Sequence, residues 1–193
     1  MKIGYLHGYN SYFKENAKVK ALSILGHVVG LDIDYNKGNA VIGEVCNWGI
    51  KEDIDLVVGC SMGGWLASHV GALLGIPAVM LNPAIAPAIS LKKYIDIPEG
   101  EYDYGGYPMR SLDAAICDAY FPICKEAWGL VLLEQNDNVF NYKHSEFILN
   151  KYYKVIVSEG GSHRYDSLED RLEDIEYLVE MSGLNYGSSN ELS

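Results

Sequence analysis

The stretch Asp55-Leu56-Val57-Val58-Gly59-Cys60-Ser61-Met62-Gly63-Gly64-Trp65-Leu66 decides how the rest of this chain is read. Its first half is a short apolar run, suited to a strand covered on both faces. Its second half opens a helical pattern through Trp65, Leu66, Val70 and Leu73. That pattern stops at Gly75, with Pro77 two residues on, as helices commonly stop. Between the halves stands Gly-x-Ser-x-Gly, the nucleophile elbow, a turn so tight that only glycine fits beside the serine. It would hold the Ser61 hydroxyl clear of the backbone. The same pentapeptide could be an ordinary glycine-rich turn whose serine caps the helix. A base, an acid and oxyanion donors elsewhere in the chain separate the two.

Outward from the elbow the chain alternates. Residues 3–6, 27–33, 55–59, 78–81, 130–133 and 154–157 read as strands, and 13–25, 39–48, 61–74 and 142–151 as helices. This predicts an α/β fold, a doubly wound, mostly parallel sheet of about six strands with helices on both faces. A site is then expected at the carboxyl ends of the strands. One segment breaks the alternation. Residues about 84–128 carry Pro87, Pro98, Pro108 and Pro122 and the tyrosines Tyr94, Tyr102, Tyr104, Tyr107 and Tyr120. So long a connection is expected to be functional, here a cap over the site; a solvated insertion is the plainer reading. Tyr104 and Tyr107 are its candidate substrate contacts. One domain is expected over 1–181, with 182–193 a flexible tail rich in Gly, Ser and Asn.

Composition narrows the function. The chain has 193 residues, 49% of them hydrophobic, enough for a full core. Its net charge is −11, from 26 acidic and 15 basic residues, which argues against a nucleic-acid partner and against anionic membrane surfaces. The first residues read directly as a strand, so no export signal and no membrane insertion are expected, and the location is expected to be cytoplasmic. Cys46, Cys60, Cys117 and Cys124 lack CxxC spacing and paired histidines, so they read as packing thiols. No metal and no cofactor are expected.

The partners that Ser61 needs lie in two strand-end loops. Glu134-Gln135-Asn136-Asp137-Asn138 follows the fifth strand, and Ser158-Glu159-Gly160-Gly161-Ser162-His163 follows the sixth. A serine hydroxyl needs a base at neutral pH, which His163 can supply, while Asp137 holds the imidazole tautomer. The order Ser61, Asp137, His163 is the one this elbow calls for. Glu134 is the nearest substitute acid, and Asp137 could be an ordinary turn residue. Two backbone amides should form the oxyanion hole: Met62, after the serine, and Tyr9, in the His7-Gly8-Tyr9 loop behind the first strand. His7 reads as support for that loop.

Five blocks resemble a known family: Tyr5-Leu6-His7-Gly8-Tyr9-Asn10-Ser11, Gly59-Cys60-Ser61-Met62-Gly63-Gly64, Ala78-Val79-Met80-Leu81-Asn82-Pro83-Ala84, Gln135-Asn136-Asp137-Asn138-Val139-Phe140-Asn141-Tyr142 and Glu159-Gly160-Gly161-Ser162-His163. In this order they resemble the small bacterial YqiA-like esterases across about residues 1–175. The resemblance implies a minimal α/β-hydrolase fold. It also implies a serine esterase or acyl-thioesterase with Ser61, Asp137 and His163 as its triad and a small-molecule acyl ester or thioester as substrate. Two further readings keep the fold: a non-catalytic ligand-binding protein, or an acyltransferase using the same nucleophile.

Overall fold

Strands that are apolar on both sides must be covered on both sides, and this determines the architecture. A computed structural model of the chain describes residues 1–98, 100–101 and 109–183. The strands are β1 (Lys2–Leu6), β2 (His27–Gly30), β3 (Leu56–Cys60), β4 (Ala78–Leu81), β5 (Gly129–Glu134) and β6 (Lys154–Ser158). They form one sheet in the order β2-β1-β3-β4-β5-β6, parallel at every pairing.

Because side chains alternate along a strand, each central strand feeds two cores. Leu56, Val58 and Cys60 of β3 join Val79, Leu81, Leu130 and Leu132 on one face. Val57, Met80, Val131 and Leu133 face the other way. Helices α2 (Ala40–Glu52) and α3 (Met62–Leu74) cover that second face with Val41, Val45, Trp65, Leu66 and Val70. On the first face, α1 (Ala17–Leu22) and α7 (Leu172–Met181) supply Val19, Leu22, Ile175 and Val179. Each fully buried Leu, Ile or Val contributes roughly 1.5–3 kcal/mol.

Helix α3 ends as its sequence predicts, with Gly75 left-handed at φ 67°. The first helix is shorter than its periodicity suggests, beginning at Ala17 rather than at residue 13. Asn16 caps it by accepting from the Val19 amide, while the Phe13 amide is taken by Asp32 Oδ1. The second strand is also shorter and stops at Gly30. There the Phe13 ring fills the place of a side chain, since a Cβ on Gly30 would stand 2.2 Å from it. The chain then turns away, and the Ile33 amide donates to His7 Nε2 at 2.8 Å instead of to a strand.

The strand order places the site. From β1 the chain crosses to β2 on one side, and from β2 it returns to β3 on the other. Such a switch opens a crevice at the carboxyl ends of the strands. The register pairs Leu6 with Gly59, so the His7-Gly8-Tyr9 loop and Ser61 leave the sheet side by side.

The long connection between β4 and β5 carries α4 (Pro87–Ser90), a turn of tighter helix over Lys92–Tyr94, and α5 (Ala114–Ala119). The remaining helix, α6 (Tyr142–Leu149), joins β5 to β6. Asn39 ties the connection down, its Nδ2 donating to the Ala119 carbonyl and its Oδ1 accepting from the Phe121 amide. Trp65 Nε1 donates to the Phe121 carbonyl. Tyr104, Tyr107 and residues 184–193 lie outside the described residues. Among the described residues, no helix is long and apolar enough to cross a membrane.

Candidate active site

Ser61 stands between β3 and α3 with φ 57° and ψ −117°, a conformation that non-glycine residues avoid at a cost of about 1–3 kcal/mol. Its neighbours hold it there. The Ser61 amide donates to the Leu81 carbonyl at 2.9 Å, and the Ser61 carbonyl accepts from Gly64, Trp65 and Ala84. The glycines on either side are set by close packing. A Cβ on Gly59 would stand 2.0 Å from the Gly63 carbonyl oxygen, and one on Gly63 would stand 2.0 Å from that of Leu6.

Three side chains from three strand ends meet. Ser61 Oγ lies 2.9 Å from His163 Nε2, and His163 Nδ1 lies 3.0 Å from both Oδ1 and Oδ2 of Asp137. A carboxylate facing Nδ1 fixes the proton on that nitrogen and leaves Nε2 to accept from the serine hydroxyl. The Asp137 side chain is 2% exposed and that of His163 20%, so the chain runs from a buried acid to an accessible ring. Asp137 Oδ1 also accepts from the amides of Val139 and Phe140 at 2.7 and 2.9 Å, which orient the carboxylate. Phe140 meets the imidazole edge to face at 4.9 Å between ring centres. A chain of this kind can take a proton from a hydroxyl as it attacks a carbonyl, then return it to a leaving group.

Met62 supplies the first amide of α3, a position with no acceptor inside the helix. Across from it, the loop after β1 passes close to the serine: a Cβ on Gly8 would lie 3.4 Å from Ser61 Cβ. Tyr9 follows in that loop. Its hydroxyl donates to the Arg110 carbonyl at 2.9 Å, and its ring packs at a tilt against Tyr94, 4.7 Å between centres, so the long connection rests against this loop.

His7 is buried, and both its nitrogens are engaged. Nε2 accepts from the Ile33 amide, and Nδ1 lies 2.8 Å from the Gly8 carbonyl, which fixes a neutral tautomer donating from Nδ1. Burial pushes its pKa below the ordinary 6.5. Tyr35 Oη donates to the His7 carbonyl at 2.6 Å. His7 is therefore a brace for the loop, as its place in the sequence suggested.

Two ionisable neighbours stand apart from the Ser61–His163–Asp137 chain. Cys60 is buried, its thiol faces the carbonyls of His163 and Arg164, and desolvation pushes its pKa up to about 11. Glu134, the substitute acid by sequence, does not face the imidazole. Its carboxylate is fully buried and accepts hydrogen bonds from the loop that carries His163. Sequence reasoning missed this arrangement, and it missed Asn82, which touches the same loop from β4. A concavity of about 420 Å³ is lined by Ile42, His69, Leu73, Phe121 and Cys124 among others, and contains none of the Ser61, His163 and Asp137 group.

Comparison with known proteins agrees with this architecture. Est1E from Butyrivibrio proteoclasticus superposes with a TM-score of 0.70 at 18% identity, over 94% of this chain and 87% of that one. The monoacylglycerol lipase of Paleococcus ferrophilus gives 0.69 at 14% identity, over 93% and 94%. Sheet order, elbow and solved structures together define a protein of the α/β-hydrolase fold. The chain belongs to the uncharacterised protein family UPF0227, whose pattern matches residues 2–180. Within it, a UPF0227 protein of Serratia proteamaculans is 30% identical over 120 residues, and the match spans 62% of each chain. The YqiA-like resemblance of the five sequence blocks falls in the same family.

Proposed function

We propose that this chain is a serine hydrolase of the esterase or acyl-thioesterase type. The observation that carries the reading is the Asp137–His163–Ser61 chain, with separations of 3.0 and 2.9 Å, at the switch point of the sheet. Fold neighbours whose names include a carboxylesterase and a monoacylglycerol lipase support the same class of chemistry.

In this reading Ser61 Oγ attacks the carbonyl carbon of an ester or thioester while its proton passes to His163 Nε2. Asp137 stabilises the imidazolium that forms. The oxyanion accepts from the amides of Met62 and Tyr9, and removing one such donor costs about 2.7–4 kcal/mol in catalysis of this kind. Collapse of the tetrahedral intermediate breaks the bond to the leaving group, which takes the proton from Nε2 and departs as an alcohol or thiol. Water, deprotonated by His163, then attacks the acyl-serine and frees the acid. The connection between β4 and β5, whose residues Tyr94 and Arg110 meet Tyr9, acts as the cap in this reading.

Labelling by a fluorophosphonate probe, with the adduct located by peptide mass spectrometry, tests the mechanism. Modification at Ser61 that is lost in Ser61→Ala is the expected result. Folded protein that neither labels nor turns over any member of a graded series of p-nitrophenyl esters and acyl thioesters refutes it.

A further inference from the structure

The loop that carries His163 is gripped from two sides by buried polar side chains that lie outside the Ser61–His163–Asp137 chain. Glu134, the last residue of β5, has no exposed surface. Its Oε2 accepts from the Ser162 amide at 2.6 Å. Its Oε1 accepts from the amides of Asp166 and Ser167, both at 2.7 Å, and from the Ser167 hydroxyl at 2.8 Å. Asn82, the residue after β4, is 1% exposed and reaches the loop from the neighbouring strand. Its Nδ2 donates to the Ser162 carbonyl at 2.9 Å, and its Oδ1 accepts from the Glu134 amide at 3.0 Å. Ser162, the residue before His163, is thereby held at both its N–H and its C=O.

The loop is shaped around this grip. Gly161 has φ 71°, and a Cβ there would stand 2.0 Å from Glu134 Oε2. Tyr165, buried, is also left-handed at φ 61°, a conformation that persists only where its surroundings enforce it. A buried carboxylate is costly unless several donors converge on it. It is also the side chain that accepts four hydrogen bonds while presenting no N–H to repel an amide.

We infer that Glu134, with Asn82, is a positioning residue for the His163 imidazole: it sets where Nε2 stands relative to Ser61 Oγ. The inference rests on His163 being the base, as proposed above. Catalysis is sensitive to such placement, because a 1 Å displacement of a reacting group costs on the order of 100-fold.

The test compares two variants. Glu134→Gln keeps the size and one carbonyl oxygen but turns an NH2 group toward the Ser162 amide; Glu134→Leu removes every acceptor. The turnover number for a short p-nitrophenyl ester is taken per active site, counted by fluorophosphonate titration to its end point. It is expected to fall about tenfold in Glu134→Gln and about 100-fold in Glu134→Leu, with KM unchanged. A merely structural role would lower the number of titratable sites and the melting temperature while leaving turnover per site intact, and that result overturns the inference. Should Glu134→Leu fail to fold, Glu134→Gln decides alone. A crystal structure of Glu134→Gln reads the placement independently of any ester: a Ser61 Oγ to His163 Nε2 distance beyond hydrogen-bonding range is expected, and a retained 2.9 Å overturns the inference. Wild-type protein inert to probe and esters, whose His163 nonetheless shifts in Glu134→Gln, would refute the proposed function and leave the positioning intact.

Discussion

Gly63 faces the carbonyl oxygen of Leu6 so closely that a Cβ would stand 2.0 Å from it. Gly63 sits inside α3 without a left-handed φ, so the end of β1, rather than its own backbone angles, requires the glycine. Gly63→Ala should push β1 and the His7-Gly8-Tyr9 loop away from Ser61. We expect a loss of about 1–3 kcal/mol in stability by urea denaturation and, under the proposed function, about 100-fold in ester turnover.

Gly43 is the opposite case. It lies within α2, and a Cβ built there meets nothing within 4 Å. Gly43→Ala removes the conformational freedom that glycine has in the unfolded chain and should raise stability by about 0.5–1 kcal/mol. Equilibrium denaturation measures the gain, and under the proposed function ester turnover should not change.

The two carboxylates at the end of β5 and in the loop after it separate by substitution. Under the proposed mechanism Asp137→Asn leaves the geometry but favours the wrong imidazole tautomer, and turnover should fall roughly 10⁴-fold. Glu134, still in place and aimed at the backbone of the base loop, cannot substitute for it. Steady-state kinetics of a folded variant with unchanged circular dichroism is the measurement.

The brace at His7 carries a pH signature. Burial lowers its pKa in the folded state below 6.5, so between those two values the unfolded chain holds a proton that the folded one lacks. Unfolding free energy therefore rises with pH through that window: this contribution is complete above about pH 6.5 and is lost as the pH falls toward the folded pKa. His7→Gln should show a shallower dependence of melting temperature on pH than wild type at and below about pH 6.5.

How much was legible in the sequence differs from element to element. Strand β3, the elbow and α3 could be read because an apolar run, two closely packed glycines and a terminal Gly75 each leave a local mark. All six strands stand where apolar runs place them, whereas their order in the sheet is a matter of tertiary pairing that no run encodes. The start of α1 was misplaced because residues 13–16 have helical spacing, yet Phe13 is used against Gly30 and Asp32. Asp137 and His163 could be located by their loops, and the structure brings both to Ser61. Glu134 could not be told from an acid partner, since a position along the chain does not say whether a carboxylate meets a ring or backbone amides. Asn82 gave no signal beyond its place after a strand.

The side chains that meet at Ser61 leave the sheet from β3, β5 and β6, and β6 is an edge strand that, among the described residues, pairs with β5 alone. The distance from hydroxyl to imidazole is thus the sum of every pairing from the middle of the sheet to its rim. In the proposed reading Ser61 has no base during synthesis until the last strand and the loop after it have emerged, so a nascent or clipped chain ending before residue 163 carries an unarmed serine. The same geometry makes ester turnover, in the proposed reading, a gauge of how well the outermost strand is seated. Fraying at that rim silences the serine while the central strands are still folded.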